Sequence, residues 1–435
     1  MGFTIDEANE ELRKALAGPE DDVFYDVVAI SDGLLRSGHS DEALTVWAER
    51  AARGIQARGI PPSKLVCYDT LDARLSPLIF SISDPELATI WPAWPLSNLR
   101  SVRLGEADIR WDAMPDSDWP SLHRVSVFGG PGVQNGLLPW LGRQELPQLR
   151  ELAMPSVDAS NAGFLALARS TFWTRLEHVN VGYNVWLGGP WPAMPRAHVL
   201  EIPNTHATID DLRALMSVPL PQLEHLNITN NIFENAGFDV LVERPLPALT
   251  DLEIRACRFT DGYAWRGLSR AQWPSLRRLD LQDTLSDPLV LIAAAPVLRG
   301  LRRLEIGSCD LDDACAAVLA SIEMPELAHL DLSYNQLTDK GIAQLAASTW
   351  PRLKYLDVSV NPIGDRGVAA LTRMPWWNTL ETIKLVRVEL TDAGLATLAQ
   401  AAPRNVRELS VGPREWYSQD AYDRLRAAVP AGTYL

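Results

Sequence analysis

The chain has 435 residues, 47% of them hydrophobic, and a formal net charge of −15. That is ample apolar content for a large core, and the acidity argues against nucleic acid as a partner, because binding a polyanion needs clustered Lys and Arg to displace counterions. No apolar run approaches the roughly 18 residues of a membrane span, so no membrane partner is expected either.

The opening MGFTIDEANEELRK lacks the basic and apolar regions of a signal peptide. Asp6 stands where a myristoylation motif takes Ser or Thr. A cytoplasmic location is expected. Residues 1–90 read as helical. ANEELRKALAG is one amphipathic helix, ended by Gly18-Pro19. VFYDVVAISDGLLRSGHSDEALTVWAERAARGI reads as two more, turning at Ser37 to Ser40. Asp41 falls in the first turn of the second of these, where a carboxylate suits the helix dipole.

From Leu99 onward one frame recurs. In PELAHLDLSYNQLTDKGIAQL, Leu327, Leu330 and Leu332 alternate as in a short strand, and Gly341, Ile342 and Leu345 then shift to helical spacing. The first apolar position of each copy is Leu99, Leu122, Leu149, Leu176, Ala197, Leu223, Leu249, Leu276, Leu301, Leu327, Leu353, Leu380 and Val406. A unit of about 26 residues cannot bury its own apolar face, so thirteen in a row predict a solenoid. LDLSYNQLTDKGIAQLA, LDVSVNPIGDRGVAAL and IKLVRVELTDAGLATLA resemble leucine-rich repeats of the ribonuclease-inhibitor-like kind. The resemblance covers about three quarters of the chain and is weaker before Leu223. It implies an α/β horseshoe with a parallel concave sheet and convex helices. Residues 1–90 then form a helical N-terminal cap or a separate docking element, 91–411 the repeats and 412–435 a C-terminal cap. In that last segment SQDAYDRLRAAV is a closing helix, with Trp416 and Tyr417 packed against the last strand.

The four cysteines do not read as a disulfide framework or a zinc site. Cys257 and Cys309 occupy the slot after the strand that holds Asn231, Asn335 and Asn361 in other copies. The resemblance implies that this slot points inward and bonds the turn backbone of neighbouring repeats. Trp119, Trp173, Trp273, Trp350 and Trp377 each precede a strand's first apolar position by three residues, so they are expected in the core. Trp111, Trp186 and Trp191 fall outside that register. They lie near two breaks in the pattern, FGGPGVQNG at 128–136 and VWLGGPWPAMP at 185–195. Irregular loops of repeat proteins tend to gather on a binding face, which makes Trp186 and Trp191 candidates for a clamp at one edge.

The residue between the second and third apolar positions reads Glu201, Asn227, Glu253, Asp280, Glu305, Asp331 and Asp357 across successive copies. Like charges about 5 Å apart repel by roughly 1 kcal/mol per pair in water. Arg255, Arg277, Arg278, Arg302, Arg303 and Lys354 are expected beside part of this column as compensation, whereas Glu224 and Asp251 add to the acid near Glu201 and Glu253. An acidic stripe there suits a basic protein surface, while Asp331 and Asp357 read as solvated members of the Leu-Asp-Leu habit. The candidate partner-binding residues are Glu201, Asp251, Glu253, Asp280, Glu305, His225, Tyr183, Tyr334, Tyr355, Trp186 and Trp191, the tyrosines as aromatic anchors on the concave track. His178, His225 and His329 share one column, but Arg303 and Tyr355 flank His329, which argues against a metal site. No nucleophile motif stands in a strained turn. No catalytic residue, cofactor or metal is therefore expected, and a monomer binding another protein is. The alternative is a regulator that inhibits or activates a bound enzyme; an enzyme within the N-terminal helices is a weaker one.

Overall fold

A computed structural model of the chain describes residues 4–17, 30, 70–71, 101–105, 116, 119–128, 136–157, 161–185, 191–233, 237–257, 264–284 and 296–435. The chain forms two compact units, Met1–Ala197 and His198–Leu435. In the first, helix α1 (Ile5–Ala17) matches the predicted amphipathic segment. The strands are β1 (Thr70–Leu71), β2 (Ser101–Gly105), β3 (Arg124–Phe128), β4 (Glu151–Ala153) and β5 (His178–Asn180), paired in parallel in that order. Helices α2 (Leu137–Arg143) and α3 (Asn161–Ala168) connect β3 to β4 and β4 to β5. Strand β1 differs from expectation: it lies inside the segment read as wholly helical and extends the sheet past the first copy. The helical pair predicted over 23–55 lies outside the described residues.

The second unit carries nine strands, β6 (Val199–Glu201), β7 (His225–Asn227), β8 (Asp251–Glu253), β9 (Arg278–Asp280), β10 (Arg303–Glu305), β11 (His329–Asp331), β12 (Tyr355–Asp357), β13 (Thr382–Lys384) and β14 (Glu408–Ser410). Each pairs in parallel with the next, and the sheet is open rather than closed on itself. The helices between strands include α4 (Ile209–Ser217), α5 (Gly237–Val242), α6 (Asp313–Ser321), α7 (Asp339–Gln344), α8 (Asp365–Leu371) and α9 (Asp392–Gln400), and α10 (Gln419–Ala428) closes the unit. This is the α/β repeat solenoid the periodicity predicts. The middle residue of each three-residue strand, such as Leu226, Leu330 or Ile383, is fully buried. Its two neighbours point to the other, free face of the sheet.

Two side-chain ladders explain why the repeat needs its particular residues. The first is the slot after each strand. Asn335 donates through Nδ2 to the carbonyls of Ile306 (3.0 Å) and Leu332 (2.9 Å), and its Oδ1 accepts the N–H groups of Cys309 (3.0 Å) and Leu311 (3.0 Å). One buried amide thus satisfies the turns of two repeats, as Asn184, Asn231 and Asn361 also do. Cys257 and Cys309 fill the same slot and donate Sγ–H to the carbonyls of Ile228 and Leu281, and burial pushes both thiols up to about 12. The residue before the slot is left-handed in copy after copy, with φ between 52° and 58° at Tyr183, Asn204, Asn230, Asp283 and Tyr334 among others.

The second ladder runs along the helix starts. Asp313, in the first turn of α6, accepts both the backbone N–H (2.9 Å) and the hydroxyl (2.8 Å) of Thr338, which precedes α7. Asp339 accepts the N–H groups of Gly364 (2.7 Å) and Gly367 (2.8 Å), and Asp365 accepts the N–H (2.9 Å) and hydroxyl (2.6 Å) of Thr391. In α7 and α9 the carboxylate of the repeat before thus fixes the cap threonine, whose hydroxyl accepts the N–H of Lys340 or Ala393, and in α8 Asp339 accepts the Gly367 N–H directly. The Asp-x-Gly spacing follows from this, since a Cβ on Gly341, Gly367 or Gly394 would collide with that carboxylate.

Candidate functional site

The register of β6 to β14 sorts the free face into two columns. One runs Val199, His225, Asp251, Arg278, Arg303, His329, Tyr355, Thr382 and Glu408; the other runs Glu201, Asn227, Glu253, Asp280, Glu305, Asp331, Asp357, Lys384 and Ser410. Neighbours in a column are about 4.8 Å apart along the sheet.

The acids of the second column do two different jobs. Asp280, Asp331 and Asp357 each accept, through Oδ1, the N–H two residues on, from Gln282 (3.1 Å), Ser333 (2.8 Å) and Ser359 (2.8 Å). Asn227 and Asn180 do the same for Thr229 and Gly182, both at 3.0 Å. A short polar side chain there closes the turn, and the neutral amide suffices. The longer side chain of Glu253 instead accepts from Asn227 Nδ2 at 2.8 Å and pairs with Arg278.

The cations are concentrated on two strands. Arg278 is shared by Glu253, Asp280 (4.0 Å) and Glu305 (3.1 Å), and Arg303 pairs with Glu305 at 2.8 Å. Asp280 and Glu305 are each only 6% exposed. Burial disfavours the charge on Glu305, but Arg303 and Arg278 outweigh it and hold its carboxyl below the usual range. Asp280 is not held so well: burial, reinforced by the nearby Glu305 charge, pushes it up to about 6. The other expected compensators are engaged elsewhere. Arg277 donates to the Leu276 carbonyl (2.7 Å), Arg255 pairs with Asp283 (3.6 Å) and Lys354 with Glu381 (2.7 Å). Arg302 makes no ion pair among the described residues.

Past β10 the first column changes character. His329 and Tyr355 stack with ring centroids 3.8 Å apart and planes 8° from parallel, and Lys384 Nζ sits 5.5 Å from the Tyr355 ring centre. Burial, with Arg303 alongside, pushes His329 down to about 4, so it is neutral at physiological pH. The carboxyl of Asp331 is raised by burial and by the charges of Asp357 and Glu305. At the other end of the face Asp251 accepts the Thr250 hydroxyl (2.6 Å), His198 lies 3.2 Å from Glu224, and His225 Nε2 is buried without a hydrogen-bond partner.

Of the predicted partner-binding residues, Glu201, His225, Asp251, Glu253, Asp280, Glu305 and Tyr355 share this face. Tyr334 does not lie on the strand track: it sits in the left-handed turn after β11, 56% exposed. Tyr183 occupies the matching turn of the first unit and is 57% exposed. Trp191 is not available as a clamp, because it is 6% exposed and packs edge-on against Phe164 with centroids 5.4 Å apart. Trp186 and Trp111, and most of the 128–136 break, lie outside the described residues. Trp119, Trp173, Trp273, Trp350 and Trp377 are core residues, as their register predicts. Among the described residues no group of three or more His, Cys, Asp or Glu could hold a metal ion, and no helix is long and apolar enough to cross a membrane.

Residues 326–346 and 352–371 match the leucine-rich repeat family, covering β11, α7, β12 and α8. Two of the strand–helix units thus carry the leucine-rich repeat pattern. No curated protein matches it significantly. Among solved structures it is similar to an internalin from Listeria monocytogenes, at 16% identity and TM-score 0.41, covering 66% of this chain and 79% of that one. It is also similar to a chain of the Rad7 and Elc1 complex in yeast, at 16% identity and TM-score 0.43, covering 98% of this chain and 89% of that one. Similarity at that level carries no functional argument. The leucine-rich repeat frame accounts for the Asn ladder and the buried strand residues, and it leaves the free-face columns unspecified.

Proposed function

We infer that the chain is a protein-interaction module whose free sheet face in the second unit takes a basic surface of another protein, without catalysis. One observation carries the reading. At the Asp280 position the fold needs only a turn acceptor, which Asn180 and Asn227 provide uncharged, yet the sequence keeps a buried carboxylate that its surroundings disfavour. A charge that weakens the fold is explained by a use outside the fold. Nine strands at about 4.8 Å give a track of about 40 Å, room for a standard interface of about 800 Å² per partner. Glu201 and Glu253 extend the acidic column toward β6, Asp251 adds a carboxylate in the neighbouring column, and Tyr355 lies on the same face.

The test is affinity capture from the native host's lysate across a salt series, with wild type beside a variant carrying Glu201→Gln, Asp251→Asn and Glu253→Gln. The expected result is a basic protein retained by wild type, released as salt rises and weakened at least about 10-fold by the variant. Equal retention by both proteins would remove these three residues from the interface.

A further inference from the structure

We propose that Arg277 and Arg302 form a docking site for a carboxylate side chain on an acidic segment of another protein. The residue just before each strand makes a further column, carried from strand to strand by backbone bonds of 2.7 to 2.9 Å. In the first unit it holds Arg150 and Glu177. In the second it runs His198, Glu224, Thr250, Arg277, Arg302, Ala328, Lys354, Glu381 and Arg407. Every other basic residue named here has its carboxylate on a neighbouring strand. Arg150 meets Glu177 at 3.3 Å, His198 meets Glu224 at 3.2 Å, and Glu381 is shared by Lys354 (2.7 Å) and Arg407 (3.6 Å). Arg277 and Arg302 adjoin each other instead, between the uncharged Thr250 and Ala328, and neither forms an ion pair among the described residues. Side by side, the two charges repel.

Arg150 shows what the pair lacks. Its Nη1 donates to the carbonyls of Leu149 (2.9 Å) and Pro147 (3.3 Å), which fixes the guanidinium, and its Nε faces Glu177. Arg277 is anchored in the same way, Nη1 donating to the carbonyls of Leu276 (2.7 Å) and Pro274 (3.4 Å). On its next strand, however, the position of Glu177 belongs to Arg302. The rest of the anchored guanidinium meets no acceptor among the described residues. Gly300 lies alongside and brings no side chain, where even a Cβ would stand 3.4 Å from Nη1. Arg302 is exposed, and so is Arg299 three residues before it. Glu381 supplies a second precedent, a single carboxylate bridging cations on both neighbouring strands, held below its usual range by the bond from Lys354. A carboxylate from outside, set between Arg277 and Arg302, would reproduce both arrangements, and planar guanidinium forks suit it. Because both precedents within the chain are carboxylates, an acidic side chain is favoured over a phosphate. The site stands apart from the acidic columns and does not depend on what binds there.

The test titrates the full chain, at fixed salt, against fluorescent peptides that carry glutamate in a Gly-Ser background, with glutamine and phosphoserine versions. Glutamate peptides are expected to bind wild type at least about 10-fold more tightly than glutamine peptides. The chain's net charge of −15 works against that margin, so the margin reports a local site. Arg277→Gln combined with Arg302→Gln should remove it. Arg302→Glu rebuilds the Arg150–Glu177 arrangement within the chain, so it should abolish peptide binding while the melting temperature stays at or above that of wild type. Equal binding of glutamate and glutamine peptides by wild type would overturn the assignment, as would glutamate peptides binding the double variant as tightly as wild type. A melting temperature lowered by Arg302→Glu would overturn it too, because Arg277 would then not accept a carboxylate in that place. Phosphoserine peptides binding at least about 10-fold more tightly than glutamate peptides would overturn the choice of a carboxylate.

Discussion

Arg278 and Glu305 stand on adjacent strands with Nε 3.1 Å from Oε2, and the same guanidinium also serves Glu253 and Asp280. A single half-buried cation thus holds three carboxylates on the free face. Replacing it by Met leaves them repelling one another in a low-dielectric setting. Arg278→Met should cost about 2–4 kcal/mol at pH 7. The loss should shrink as pH falls, because Asp280 and then Glu253, which has lost its ion pair, take up protons, while Glu305 keeps Arg303. Urea unfolding at pH 7 and pH 4.5 checks both statements.

Asp280→Asn should do the opposite. The folded carboxyl titrates near 6, above its ordinary value of 3.8. Its ionised form therefore destabilises the fold above pH 6, and wild-type stability from this group rises as pH falls from 6 toward 4. Removing the charge while keeping the turn acceptor should raise stability at pH 7 by on the order of 2 kcal/mol. The gain should vanish below about pH 4, where the aspartic acid is neutral in both states. The same substitution should weaken partner binding, so melting and affinity are expected to move in opposite directions.

The frame of the fold is legible in the sequence because it is periodic. The strand leucines, the Asn231, Asn335 and Asn361 slot and the five in-register tryptophans recur at fixed spacing, and each lies where its register puts it. The Asp-x-Gly ladder was legible too, in TDKG, GDRG and TDAG, but its meaning depends on a contact with the preceding repeat that spacing alone does not reveal. What periodicity cannot give is which charges meet. The six cations near the acidic column look equivalent in sequence, yet only Arg278 and Arg303 pair with it; the others sit before or after the strand, where Arg255, Arg277 and Lys354 meet nearer acceptors. Tyr334 fell off the track for a related reason: one residue past the strand, the backbone turns left-handed.

Asn335→Ala should cost about 2–4 kcal/mol, because it strands buried N–H groups of Cys309 and Leu311 as well as two carbonyls. Asn335→Cys should cost less. A thiol can still donate to a carbonyl, as Cys257 and Cys309 do, but it does not replace the amide's acceptor. The predicted order of denaturation midpoints is Asn, then Cys, then Ala.

Gly341→Ala tests the helix-start ladder. On propensity alone Ala would gain about 1 kcal/mol over Gly in a helix. Here its Cβ displaces Asp313 Oδ1, and with it the two bonds to Thr338. Net destabilisation of about 1–2 kcal/mol is expected. In a double-mutant cycle with Asp313→Ala the second substitution should cost much less than it does alone.

The most direct test of the acidic-face account is site-specific photocrosslinking in the host's lysate. A crosslinking residue is placed in turn at Thr382, half-exposed on the free face, and at Arg366, exposed on α8. The account predicts a basic protein joined at position 382 and absent at 366, with the adduct reduced by Asp280→Asn. The same partner joined equally at both positions, or an acidic partner at 382, would contradict it.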